Sequence, residues 1–150
     1  MKLKIKRVSN KIGTEFKEPK YATPGSAGSD LVACIDEAIT LEPGQIKLIP
    51  TGIAIQIPSA GYGGFIFPRS GLASRNGINM ANCVGVIDSD YTGEIKCPIQ
   101  NNGQEEYTIQ PGERIAQLVI MPVVQAEFEY VDNLEKTERG AGGFGSTGSL

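Results

Sequence analysis

Four residues in the stretch FPRSGLAS, residues 67–74, set up a site for an anion. Pro68 stops a strand, Arg69 supplies a fixed cation, and Ser70 opens a short helix before Gly71. Main-chain N–H groups at a helix start, with a hydroxyl and a guanidinium beside them, suit phosphate; a capped helix with a surface arginine uses the same residues. In NCVGVIDSDYTGEIK, residues 82–96, an apolar run through Val84, Val86 and Ile87 leads into Asp88, with Tyr91 three residues on. A carboxylate at the end of a buried strand is partly desolvated, as a general base should be. The same Asp-Ser-Asp-Tyr-Thr-Gly segment is also good turn chemistry. Gln117 interrupts the apolar strand of PGERIAQLVI three residues after Arg114, and a buried Gln must find partners in the sheet or in a ligand. Asp30, after the Gly-rich bend of TPGSAGSDLVA, either buttresses a site through water or an arginine, or closes a turn.

The chain ends RGAGGFGSTGSL. Glycines 140, 142, 143 and 145 let backbone approach a ligand closely and offer bare N–H donors, while Arg139, Phe144, Ser146 and Thr147 supply charge, a ring and two hydroxyls. A frayed terminus is the alternative reading. Nothing here matches GxxxxGK[ST], and the strand-and-helix setting of a dinucleotide-binding turn is missing.

Composition narrows the chemistry. The sequence has no histidine, which removes Ser-His-Asp and Cys-His catalysis and HExxH zinc sites. A general acid or base must therefore be Asp, Glu, Lys, Tyr or Cys. Cys34, Cys83 and Cys97 form no CxxC pair and sit in strand-like surroundings, so they read as buried free thiols of a reducing compartment. A net charge of −3 argues against a nucleic-acid partner. No apolar stretch is long enough to span a membrane and the start lacks a signal-peptide run, so the expected location is cytoplasmic.

The elements that must position these residues are short strands. LKIKRV and AEFEYV alternate with period two. EPGQIKLIPTGI and QPGERIAQLVI each read as strands joined by a Pro-Gly hairpin turn, with Pro and Gly suited to the central positions of a type II turn. Residues 82–96 read as a further hairpin. The one helical candidate is SGLASRNGI, with Ser70 as its cap and Gly77 as its end. Many short strands with regular turns predict an all-β barrel or sandwich, residues 1–134, followed by a mobile Gly-rich C-terminal arm, residues 135–150.

Taken in order, SAGSDLVA, RSGLAS, GVIDSDYTGEI, GERIAQLVI and RGAGGFGSTG resemble the five motifs of the homotrimeric dUTPase family, from residue 24 to residue 148. The resemblance implies a jelly-roll-like β-barrel of the β-clip kind with one short helix, and a symmetric trimer whose active sites are shared between subunits. It implies magnesium-dependent hydrolysis of dUTP to dUMP and pyrophosphate, which limits uracil in DNA and supplies dUMP for thymidylate synthesis. It also implies roles. Asp88 would activate water for attack on the α-phosphorus. Asn82, with main-chain groups of Val86, Ile87 and Lys96, would read the uracil edge, and Tyr91 would pack on the deoxyribose. Arg69, Ser70, Gly71 and Gln117 would hold phosphates. Arg139 would reach the γ-phosphate, Phe144 would stack on the base, and Gly145, Ser146 and Thr147 would add donors. Mg2+ would be held by the triphosphate and waters, with no direct protein ligand and Asp30 in its outer shell. A dCTP deaminase and a non-catalytic nucleotide-binding regulator of the same fold are the competing readings, separable by ammonia release from dCTP and by turnover.

Overall fold

The computed structural model describes residues 1–143; Phe144, Gly145, Ser146 and Thr147, singled out above, lie outside the described residues. The described chain is all-β with one short helix: β1 Lys4–Arg7, β2 Ser29–Val32, β3 Ile39–Leu41, β4 Ile46–Gln56, β5 Tyr62–Pro68, α1 Ser70–Asn76, β6 Ile78–Met80, β7 Gly85–Ile87, β8 Glu94–Asn101, β9 Tyr107–Ile109 and β10 Arg114–Pro122. One four-stranded sheet runs β1-β4-β8-β6, a second runs β2-β10-β5-β7, and β3 pairs with β9 alone.

Isoleucine builds the core, as expected of a β-branched residue on a pleated surface. In β8 the alternation is strict: Ile95, Cys97, Ile99 and Asn101 face inward, so Lys96 must face outward. Ile49, Ile53 and Ile55 of β4 join Leu31 of β2, Ile66 of β5 and Leu118 of β10 in a single cluster shared by both sheets. Each such side chain contributes about 1.5–3 kcal/mol of burial. Asn101 is fully buried and fully partnered: its amide donates to the carbonyls of Leu41 (2.9 Å) and Glu105 (2.7 Å), and its oxygen accepts from Gly103 N–H (2.8 Å).

Several sequence expectations need correction. Both Pro-Gly turns form, with Gly44 at φ 82° and Gly112 at φ 74°. Neither closes a hairpin, because the strands they join belong to different sheets. They are corners, and β3 and β9, the short strands leading into them, pair with each other. Residues 82–96 are likewise no hairpin, since β7 pairs with β5 and β8 pairs with β4 and β6. The helix cap is Arg69 rather than Ser70, with no side-chain cap bond, while Gly77 ends the helix at φ 67° as expected. AEFEYV forms no strand in the single chain; Phe128 is 86% and Tyr130 97% exposed. Of the three free thiols only Cys97 is buried, Cys34 being partly covered and Cys83 exposed.

Candidate active site

The register of the second sheet brings the anion-site candidates into line. Gln117 on β10 stands opposite Asp30 on β2 and opposite Phe67 on β5, one residue before the strand end at Pro68. Gln117 Nε2 donates to the Pro68 carbonyl at 3.0 Å, which fixes the backbone that carries Arg69. Gly28 leaves room beside it: a Cβ there would stand 2.7 Å from Gln117 Oε1 and turn that amide away.

Arg69 Nε then donates to Asp30 Oδ1 at 3.0 Å, and Arg69 Nη1 donates to the Arg114 carbonyl at 3.2 Å. Arg114 Nη1 donates to Asp30 Oδ2, also at 3.0 Å. Two guanidiniums on one carboxylate leave a fixed surplus of positive charge, and all three side chains keep contact with solvent. The cluster can receive an anion with little reorganisation. Ser70 and Gly71 follow Arg69 in the first turn of α1.

A separate cleft of about 390 Å³ is lined by Leu48, Val86, Ile87, Asp88, Tyr91, Glu94, Ile95 and Lys96. Tyr91 N–H donates to the Asp88 carbonyl (3.2 Å) and its hydroxyl donates to the Glu94 carbonyl (2.9 Å), so the ring is folded back over the 88–94 connection. Glu94 in turn accepts the Gly52 N–H at 3.0 Å and lies 3.8 Å from Lys96 Nζ. The cleft thus has an apolar wall, a phenol ring and two acidic residues, Asp88 and Glu94, in its lining. Val86 is 63% and Leu48 61% exposed, apolar surface on which a flat ring could lie.

Asp88 is exposed in the single chain, against the expectation of partial desolvation. The reason is that β7 is an edge strand of only three residues and stops before it. Asn82 lies exposed in the loop before β7 and is not part of the cleft lining. Asp30, Arg69 and Gln117 contribute nothing to that lining either. Arg139 is exposed, its Nε donating to the Gly142 carbonyl at 2.9 Å within the arm.

Leu48 and Glu113 escaped the sequence reading, as did Glu94 and Ile95 of the cleft lining. Leu48 precedes Ile49 in β4, and adjacent strand residues face opposite ways, so one of two neighbouring aliphatics had to face out. Glu113, in the second Pro-Gly corner, accepts from the Tyr107 hydroxyl and from Gln110 N–H (2.9 Å). Its signal was an acidic residue directly after Pro-Gly.

A cation cluster and a cleft of apolar and acidic residues thus stand on one small all-β fold. The family model described as dUTPase matches residues 14–148. Over 148 residues the chain is 54% identical to a deoxyuridine 5'-triphosphate nucleotidohydrolase of Acinetobacter baylyi, covering 99% of both. It is 56% identical to one of Tolumonas auensis over 146 residues, covering 97% of both. Among solved structures it resembles a variant of the dUTPase of Staphylococcus bacteriophage 80alpha with dUpNHpp, at a TM-score of 0.85 and 30% identity over 98% of both chains. It also resembles a variant of the phage phi11 dUTPase, a structure concerned with coordination of a structural Mg(II) ion, at a TM-score of 0.77 and 26% identity over 91% of this chain and 100% of that one. The chain belongs to the dUTPase family.

Proposed function

We propose that this enzyme hydrolyses dUTP to dUMP and pyrophosphate, with the cleft holding the nucleoside and the Asp30–Arg69–Arg114 cluster serving the triphosphate. The observation that carries the reading is the pair of 3.0 Å bonds from Arg69 and Arg114 to Asp30. They hold cations ready for several phosphate charges on a chain whose net charge is −3.

Each residue then has a task. Asp88, at the mouth of the cleft, takes a proton from the water that attacks the α-phosphorus. Tyr91 covers the deoxyribose and excludes a 2′-hydroxyl. Main-chain groups of Val86, Ile87 and Lys96, with Asn82, read the uracil edge, where the N4 amine of cytosine would reverse the donor pattern. Arg69, Ser70, Gly71 and Gln117 bind phosphates. The leaving pyrophosphate keeps its charges against the arginines, so positioning and electrostatics supply most of the rate.

The donor set fits a magnesium ion carried by the substrate. Among the described residues no three His, Cys, Asp or Glu converge as a metal cage. Asp30 accepts one bond from each arginine and keeps lone pairs for a water, so it would hold the ion through its outer shell. When bound, the ion supplies charge neutralisation across the phosphates.

The enzyme is further proposed to be a homotrimer with shared sites. The nucleoside cleft and the cation cluster share no residue within one chain, and exposed apolar side chains line the cleft at Leu48 and Val86. A neighbouring copy brings one subunit's cleft to another's cations. The arm, residues 135–150, closes over the joined site, with Arg139 on the γ-phosphate, Phe144 on the base, and Gly145, Ser146 and Thr147 donating to the β- and γ-phosphates. No helix among the described residues is long and apolar enough to cross a membrane, and the proposed place of action is the cytoplasm.

The test is pyrophosphate release with magnesium from dUTP, dTTP, dCTP and UTP. Release much faster from dUTP supports the reading, whereas equal turnover of all four, or ammonia released from dCTP, would sink it.

A further inference from the structure

We propose that Glu113, locked by Tyr107, is the positioning residue for the arginine cluster, an inference that rests on the functional reading above for the identity of the anion. Pairing between β10 and β2 is irregular between Arg114 and Ala116: Arg114 stands opposite Val32, and Ala116 opposite Leu31. Arg114 therefore lies beyond the irregularity, and the regular ladder does not place it. The corner before it does. Glu113 N–H donates to the Gln110 carbonyl (3.0 Å), closing the turn, and Ala33 exchanges bonds of 2.8 Å with the corner, its N–H donating to Glu113 O and its carbonyl accepting from Gly112 N–H.

The Glu113 side chain ties this corner down. One carboxylate oxygen accepts the Gln110 N–H at 2.9 Å, and the other accepts the Tyr107 hydroxyl from β9. Both oxygens are thus committed, one to the start of the corner and one to the sheet it leaves. The next residue does two things for the site: its carbonyl receives Arg69 Nη1, and its guanidinium reaches Asp30. A rotation of the corner would move both contacts together. Burial first, and then the bond to Glu113, push the Tyr107 hydroxyl up to about 12. It therefore stays a protonated donor throughout the neutral range. The hydrogen-bonded link from Tyr107 to Arg69 runs through Glu113 and the Arg114 backbone, so Glu113 acts on the site through the arginines.

The experiment compares the full chain with Glu113→Ala, Glu113→Gln and Tyr107→Phe. Calorimetry would measure binding of pyrophosphate and, separately, of deoxyuridine, and thermal melts would report folding. Glu113→Ala should weaken pyrophosphate about tenfold, the scale of one charge-assisted hydrogen-bond network lost. Deoxyuridine affinity should stay within about twofold, since the cleft shares no residue with the corner. Glu113→Gln, which keeps one acceptor, should fall between Glu113→Ala and the parent. If Glu113→Ala does not fold, Glu113→Gln and Tyr107→Phe carry the comparison. Equal weakening of both ligands marks a general loosening and overturns the inference, as does pyrophosphate binding unchanged in every variant. A parent protein that binds pyrophosphate but leaves dUTP intact fails the functional proposal while leaving the split between the two ligands readable.

Discussion

Asp30 and Arg69, 39 residues apart in sequence, meet at 3.0 Å where the second sheet gives way to the helix. Their pairing with Arg114 orients two cations while neutralising only one of them. Both partners are partly exposed, and exposed ion pairs contribute about 0–1 kcal/mol to stability. Asp30→Asn is therefore expected to leave the thermal melt nearly unchanged while lowering kcat/KM for dUTP about tenfold or more, because the freed guanidiniums lose their aim. Steady-state assays and melts on the same preparation check the separation.

Asp88 is the one carboxylate at the mouth of the cleft whose proposed task is proton transfer. Asp88→Asn should cut turnover by about 100-fold or more, the usual scale for a lost general base. Binding of a non-hydrolysable dUTP analogue should persist, measured by calorimetry. Turnover surviving in this variant would remove Asp88 from the mechanism.

The folded-back Tyr91 ring, held by the Glu94 carbonyl at 2.9 Å, is proposed to reject ribonucleotides by occupying the space of a 2′-hydroxyl. Tyr91→Ala should raise the ratio of UTP to dUTP turnover about tenfold, within the range that one steric contact provides. The comparison of kcat/KM values for the two nucleotides decides it.

Removing residues 139–150 takes away most of the arm. The truncated protein should keep its melt and its assembly while losing most of its turnover, as expected of a lid that excludes water. Full activity after truncation would return these residues to the role of a plain terminus.

The thiols offer a check on the fold itself. Burial pushes Cys97 from 9.0 up to about 12. Folding therefore holds its proton between those pH values while the unfolded chain releases it, so stability is complete below pH 9 and declines as pH rises toward 12. Urea titrations across that window should show the decline, and Cys97→Ala should flatten it. A thiol reagent at pH 8 should label exposed Cys83 quickly and Cys97 only on unfolding.

How much of this was legible beforehand depends on range. The two Pro-Gly turns and the helix end at Gly77 rest on local rules, and the sequence carries them. Which sheet each strand joins is a long-range choice, so both corners and the 82–96 segment were read as hairpins. Arg69 and Asp30 were visible as candidates, yet nothing in their spacing says that one holds the other. Leu48 was invisible because an exposed leucine in a strand carries no meaning until the cleft beside it is known. Asp88 looked buried because Val84, Val86 and Ile87 precede it; β7 turned out to be an edge, and Val86 points to solvent.

The membership of β7 and β8 in different sheets has a mechanical consequence. The cleft takes Val86 and Ile87 from one sheet and Ile95 and Lys96 from the other, so its width is a gauge of how far apart the two sheets sit. Behind that wall Gly64 leaves room for its neighbours: a Cβ there would stand 3.2 Å from Ile87 Cβ and 3.4 Å from Ile55 and Leu118. A methyl group added at position 64 would therefore press on the cleft wall at Ile87 from behind, which makes the shape of the cleft answerable to the interior as well as to its rim.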